Sequence, residues 1–231
     1  TEAEPLFQQA LAISENHLGG QHPYAALEFH HLGENYRLQG RYAEAEPLFQ
    51  RALEIYEQVL EADHPWRTFP LNGLAEVYLA QGRYHQAETL FRSALAIREQ
   101  KLGLDHRRVA ETLQSLAMCC LEQGRDAEAE TLLQRALAIR ERVLGPGHWR
   151  TALTLDGLAQ LAERRQQHAE ALSLYRRALI ICEEIPGPKH PDTVAVRERY
   201  TRLQAQLARE EALPGEMGDS NTGQMSISSN N

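Results

Sequence analysis

LNGLAEVYLAQGRYHQAETLFRSALAIRE, residues Leu71 to Glu99, holds two helical patterns joined by a short break. From Trp66 to Gln81 the residues Leu71, Leu74, Ala75, Tyr78 and Leu79 recur at i, i+3, i+4 spacing, the stripe of an amphipathic helix, and Gly82 stops it. After Arg83, the stretch Tyr84 to Leu102 places Ala87, Leu90, Phe91, Ala94, Leu95 and Ile97 on one face of a longer helix that ends at Gly103. A turn this short leaves room only for an antiparallel hairpin.

The hairpin is one copy of a series. Ala10, Ala52, Ala94, Ala136 and Ala178 lie 42 residues apart, as do Ala3, Ala45, Ala87, Ala129 and Ala171. His22, His64, His106, His148 and His190 keep the same step, while Gly40, Gly82 and Gly124 mark a further position that Gln166 breaks. The alanines stand where a large side chain would hold two helices apart. A hairpin of this kind leaves an apolar flank that another hairpin must cover, so the units are expected to stack into a curved solenoid.

Composition agrees. The 231 residues include 33 Leu and 30 Ala but only 6 Val and 8 Ile, which favours helix and starves strands. A formal net charge of −8, from 24 Lys+Arg and 32 Asp+Glu, argues against nucleic acid, because phosphate binding draws on basic stripes. No apolar run approaches the roughly 18 residues of a membrane span, and no signal peptide is visible. Cys119, Cys120 and Cys182 have no C-x-x-C spacing, so neither a disulfide framework nor a thiolate metal site is expected. They read as small buried hydrophobes in a reducing, cytoplasmic setting.

The pattern L-x-x-L-A-x-x-Y-x-x-Q-G-R-Y-x-x-A-E-x-L-F-x-x-A-L-A-I-x-E at Leu71 to Glu99 resembles the tetratricopeptide repeat (TPR). Its 42-residue period and the joint L-G-x-D-H, Leu102 to His106, resemble the kinesin light chain type. The resemblance implies an all-α, right-handed α-α superhelix, a TPR solenoid of antiparallel helix pairs. It divides residues 1–212 into a partial repeat at 1–18, four complete pairs over 24–185 and a capping helix at 192–212. Starting in mid-repeat and without an initiator Met, the chain reads as a fragment of a longer protein. Arg197, Thr201 and Gln204 stand where earlier copies carry apolar or small residues, as suits a terminal cap. Residues 213–231, rich in Gly, Ser and Asn, are expected to be disordered.

For function, the resemblance implies a non-catalytic scaffold that receives a protein or peptide segment in a concave groove lined by the first helices. The groove positions carried over are His30, Asn72, Gln114 and Asp156, followed one turn later by Glu34, Glu76, Met118 and Gln160. The light chains carry a paired Asn at the first position and the next; here only Asn72 matches, its neighbour being Gly73, so cargo preference does not transfer. Two other readings stand beside this one: a sensor arm docking on other domains of a larger ATPase or protease, and a helical-repeat RNA binder.

Other constellations read as structure. The five in-register histidines fall in separate joints, too far apart to share a metal ion, and are expected to satisfy backbone groups at the start of each following helix. Phe7, Phe49, Phe91 and Tyr175, with Leu133 in the same register, read as core packing. His30 and Glu34 lie on one face beside His31, but no nucleophile motif, phosphate loop or zinc signature completes a catalytic set, so no enzyme activity, cofactor or metal is expected. The mixed-sign runs Glu163-Arg164-Arg165 and Arg197-Glu198-Arg199 read as solvated faces.

Overall fold

The structure, a computed structural model, describes residues 3–212, which form ten α-helices and no strand. A single helix α1 (Ala3–Leu18) precedes four hairpins: α2 (Pro23–Leu38) with α3 (Tyr42–Val59), α4 (Thr68–Ala80) with α5 (Tyr84–Leu102), α6 (Arg107–Glu122) with α7 (Asp126–Val143), and α8 (Trp149–Arg164) with α9 (His168–Glu184). The last helix, α10 (Pro191–Ala212), packs on α9. The expected tail at 213–231 lies outside the described residues.

Each hairpin turns through one left-handed residue. Gly40, Gly82 and Gly124 have φ of 74°, 74° and 73°, and the next amide returns to the first helix, as in Arg83 N to the Tyr78 carbonyl at 2.8 Å. Gln166, where the glycine is lost, keeps the turn at φ 60°, and Gln167 N still reaches the Ala162 carbonyl at 2.9 Å. The hydrogen-bond closure therefore holds the conformation against the Cβ penalty of roughly 1–2 kcal/mol.

The joints are capped by the histidine series. Nδ1 of His22, His64, His106, His148 and His190 accepts from the backbone N–H two residues on, at 3.1 to 3.3 Å in every case. One joint differs from the expected helix at Trp66 to Gln81: Pro65–Arg67 forms a 3-10 turn before α4 begins. The shift places Pro70 in the first turn of α4, where no intrahelical donor is needed.

Within a hairpin the alanine series is fully buried at Ala45, Ala52, Ala87, Ala94, Ala129, Ala136, Ala171 and Ala178. Phe49, Phe91, Leu133 and Tyr175 are also fully buried, and glycines make room for them: a Cβ on Gly73 would lie 2.4 Å from the Phe49 ring. The aromatic register is therefore core. Cys119, Cys120 and Cys182 are free and buried among the same helices, and desolvation pushes the Cys120 and Cys182 thiols up to about 11.

Curvature follows from which helices meet. Besides sequential neighbours, α2 touches α4, α4 touches α6 and α6 touches α8, while no comparable contact joins successive second helices among the described residues. The stack bends toward its first helices, which form the inner surface. On α10, Val196 and Leu203 are buried while Thr201 and Gln204 face solvent, because among the described residues no second helix folds back onto it.

The mixed-sign runs do not simply face water. Arg164 donates to the Leu121 carbonyl at 2.7 Å, Arg165 pairs with Glu130 at 2.6 Å, Glu163 accepts from Tyr175 Oη and Arg202, and Arg197 pairs with Glu183. The solenoid places each run beside the preceding or following unit. A sequence reading sees one helix face at a time and so counts such charges as solvated. Half-exposed pairs of this kind contribute little stability each.

Candidate functional site

The inner surface carries a groove of about 840 Å³, framed by α2, α4, α6 and α8 and reached from behind by side chains of α5 and α7. It gathers six of the eight carried-over residues: His30, Glu34, Asn72, Glu76, Gln114 and Met118. First-helix residues one turn apart share a face, and the 42-residue period repeats that face along the stack.

Asp156 and Gln160 do not line it. Asp156 is 7% exposed and its carboxylate takes Arg199 of α10 at 2.8 and 3.0 Å, while Gln160 Nε2 donates to it at 2.9 Å. Gln160 instead borders a smaller polar hollow with Arg164, His168 and Arg202. α10 covers this end of the inner surface, with Asp156 as its anchor. Burial raises the Asp156 pKa against the opposing pull of Arg199.

The remaining polar residues are already engaged by the scaffold. Asn72 Nδ2 donates to the Thr68 carbonyl at 2.7 Å, and its Oδ1 accepts from Thr112 Oγ1 at 3.2 Å. Thr112 Oγ1 in turn accepts from Arg98 Nη1 at 2.6 Å. One period later Gln114, Thr154 and Arg140 repeat the arrangement, with Arg140 donating to Thr154 Oγ1 at 2.6 Å and to Gln114. Each network ties a first helix to the next first helix and to the second helix between them. Arg98 and Arg140 escape a sequence reading because buried charge contradicts the apolar pattern. Their signal is the 42-residue spacing, shared with Thr112 and Thr154.

At the α2–α4 end, Arg37 pairs with Glu34 at 2.8 Å and Glu76 at 2.9 Å, and Ser115 Oγ donates to Glu76 at 3.3 Å. Burial in the groove wall raises the Glu76 pKa despite Arg37. His30 packs among Phe49, Phe69 and His31 with ring centroids 5.6 to 5.7 Å away, and its Nδ1 is buried without a partner. Desolvation lowers its pKa to about 4, against the pull of Glu34, with His31, Arg37 and Arg108 adding to the depression. Glu34 is held by Arg37, so the His30–Glu34 pairing does not assemble a general base. Among the described residues no group of three or more His, Cys, Asp or Glu side chains could hold a metal ion.

The His30 environment sets a pH dependence. The unfolded imidazole takes its proton near 6.5 and the folded one only near 4, so stability present above pH 6.5 is lost as the pH falls between those values. His30→Phe keeps the ring packing and removes that proton. Urea midpoints at pH 7 and pH 5 should show a smaller acid loss in the variant than in the wild type; equal losses would contradict the assignment.

A family profile for the tetratricopeptide repeat matches residues 1–58, 27–100, 68–142, 108–179 and 150–213. The chain belongs to the tetratricopeptide repeat family. Its structural neighbours include kinesin light chain-like TPR proteins. A kinesin light chain protein of Podospora anserina with nearly identical TPR-like repeats is 27% identical at a TM-score of 0.67, covering 83% of this chain and 91% of that one. BtubC (BKLC) from P. vanneervenii is 19% identical at a TM-score of 0.67, covering 99% and 96%. A Rap protein complexed with Competence and Sporulation Factor is 18% identical at a TM-score of 0.68, covering 81% of this chain and 51% of that one. No curated protein matches the sequence. The TPR superhelix is typically a protein-interaction scaffold and is generally non-catalytic. Among the described residues, no helix of this TPR array is long and apolar enough to cross a membrane.

Proposed function

We propose that this TPR array is a non-catalytic scaffold that receives a protein or peptide segment in its inner groove. The observation that supports this most is the gathering of His30, Glu34, Asn72, Glu76, Gln114 and Met118 on one open groove whose polar walls are tied in place by hydrogen bonds. A pre-organised wall loses little conformational entropy on binding, and specificity then rests on a few matched polar contacts. The scaffold reading also agrees with a cytoplasmic setting and with three unpaired cysteines.

The test is photo-crosslinking. A photoreactive residue replacing Met118 in the groove should capture a discrete protein segment in cells, whereas the same residue replacing Gln134, exposed on α7, should not. Absence of an adduct at Met118, or the same adduct at both positions, would sink the groove assignment. If the adduct maps to other domains of the chain's own full-length protein, the sensor-arm reading replaces that of an external partner.

A further inference from the structure

The array places its own arginines on its aromatic faces. Arg41 lies over the Tyr36 ring at 4.0 Å, Arg83 over Tyr78 at 3.8 Å, Arg108 over Phe69 at 4.5 Å and Arg150 over Trp149 at 5.1 Å. All four lie within the roughly 6 Å over which a ring face attracts a cation. Arg108 and Arg150 occupy one register of the 42-residue period, and in the first two hairpins that register holds Tyr24 and Trp66. There a second ring stands in place of the cation. The Tyr24 and Trp66 centroids are 6.1 Å apart with their planes at 47°, and among the described residues no arginine or lysine lies over either ring. Tyr24 is 52% exposed and Trp66 36%.

The pair is held in place by the joints. His22 stacks on Tyr24 with centroids 5.4 Å apart, His64 meets Trp66 edge-on at 5.6 Å, and the fully buried Tyr56 backs Trp66 at 6.4 Å. The same imidazoles cap α2 and the Pro65–Arg67 turn, so the rings are positioned before anything binds. Carboxylates accompany them. Glu28 lies one turn from Tyr24 on the same face of α2, and Glu61 is exposed in the joint that leads to Trp66. Arg67 and Lys101 are engaged by Glu57 and Asp63, and among the described residues the Glu61 side chain has no ion pair or hydrogen bond. Neither ring lines the inner groove; both stand on the rim where the first helices begin.

We propose that the Tyr24–Trp66 rim is a docking site for a basic segment of a partner protein: an arginine or lysine seats on the two rings, as Arg108 does on Phe69, and Glu28 and Glu61 attract the segment's remaining positive charge. The site lies outside the groove and does not depend on the groove reading. A cation placed between centroids 6.1 Å apart is within reach of both rings, so the pair holds it better than one ring does. A guanidinium suits the pair best, because it is planar, stacks on rings and is more weakly hydrated than an ammonium. A purely apolar segment is the weaker fit, since it would desolvate the neighbouring carboxylates without pairing them. An acidic or phosphorylated segment would be repelled by the same carboxylates.

The experiment follows the indole N–H signals of the full chain by NMR at constant ionic strength. The chain has two tryptophans, Trp66 on the rim and Trp149 in the groove, and Trp149→Phe assigns them. The probes are Gly/Ser peptides bearing two arginines, two lysines, two trimethyl-lysines or two norleucines. The arginine peptide should shift the Trp66 signal saturably, the lysine peptide more weakly, and the norleucine peptide not at all. Tyr24→Leu, at a half-exposed position, should weaken arginine-peptide binding about threefold, and Tyr24→Phe, which keeps the ring, should restore it. Glu61→Gln should weaken binding and flatten its salt dependence. Tighter binding of the trimethyl-lysine peptide than of the lysine peptide identifies a methylated segment; no such preference identifies an unmodified one; either supports the site. No saturable shift, equal shifts from the arginine and norleucine peptides, unchanged affinity in Tyr24→Leu, or a shift at Trp149 in place of Trp66 would overturn it.

Discussion

Phe49→Ala is expected to lower the unfolding free energy by about 3–5 kcal/mol, the upper range for removing a buried ring. The reason lies in what surrounds it. Phe49 is fully buried between two first helices at positions where both are glycine: a Cβ on Gly33 would stand 3.0 Å from the ring, and one on Gly73 2.4 Å. Neither glycine has a side chain that can move into the vacated space, so the cavity stays open and the full penalty is felt. Solenoid arrays unfold by units, so hydrogen exchange by segment is the measurement. Protection should fall in α2, α3 and α4 and persist in α8 and α9. A loss below about 1 kcal/mol would mean the helices collapse onto each other. Gly73→Ala supplies the complementary arm: its methyl should be costly with Phe49 present and much less so in Phe49→Ala, a coupling that a double-mutant cycle reads directly.

Ala94→Trp should cost on the order of 1–3 kcal/mol or more, by forcing an indole into a helix contact built for a methyl group. Ala94 of α5 is fully buried, and so are Ala52, Ala136 and Ala178 in the same register. Ala10 is the internal control. It occupies the same position on α1, yet it is only partly buried, since no preceding first helix covers it among the described residues. Ala10→Trp should therefore disturb stability far less than Ala94→Trp. A drop of several degrees in melting temperature for the buried site, with little change at Ala10, is the expected pattern; equal shifts would misplace the interface.

These two predictions differ in how they could be reached. Ala94 is marked as a contact by its place in a 42-residue series alone. Phe49 is marked as core in the same way, but the size of its effect depends on Gly33 and Gly73, which share no register with each other and meet only around the ring. The candidate site divides similarly. Repetition of one helix face brings His30, Asn72 and Gln114 into a line, so carrying positions along the period locates six of the eight groove residues. It fails at Asp156, where Arg199 of α10 claims the carboxylate. The period fixes which backbone positions face the next first helix but not which side chain stands there: Thr112 meets Asn72 and Thr154 meets Gln114, whereas Arg199 meets Asp156.

Amino-acid order alone settled the hairpin, its turn, the histidine-capped joints and the buried alanine positions, because each is local or repeats by simple translation along the chain. Five imidazoles accept the same backbone amide for the same reason that one does. The folded stack settled the electrostatics of the groove. Whether Arg98 and Arg140 point outward or inward, and whether a charged run meets water or the next repeat, depend on curvature and on distances between units. A linear period fixes which residues are equivalent; it carries no information on which charges a bend brings together.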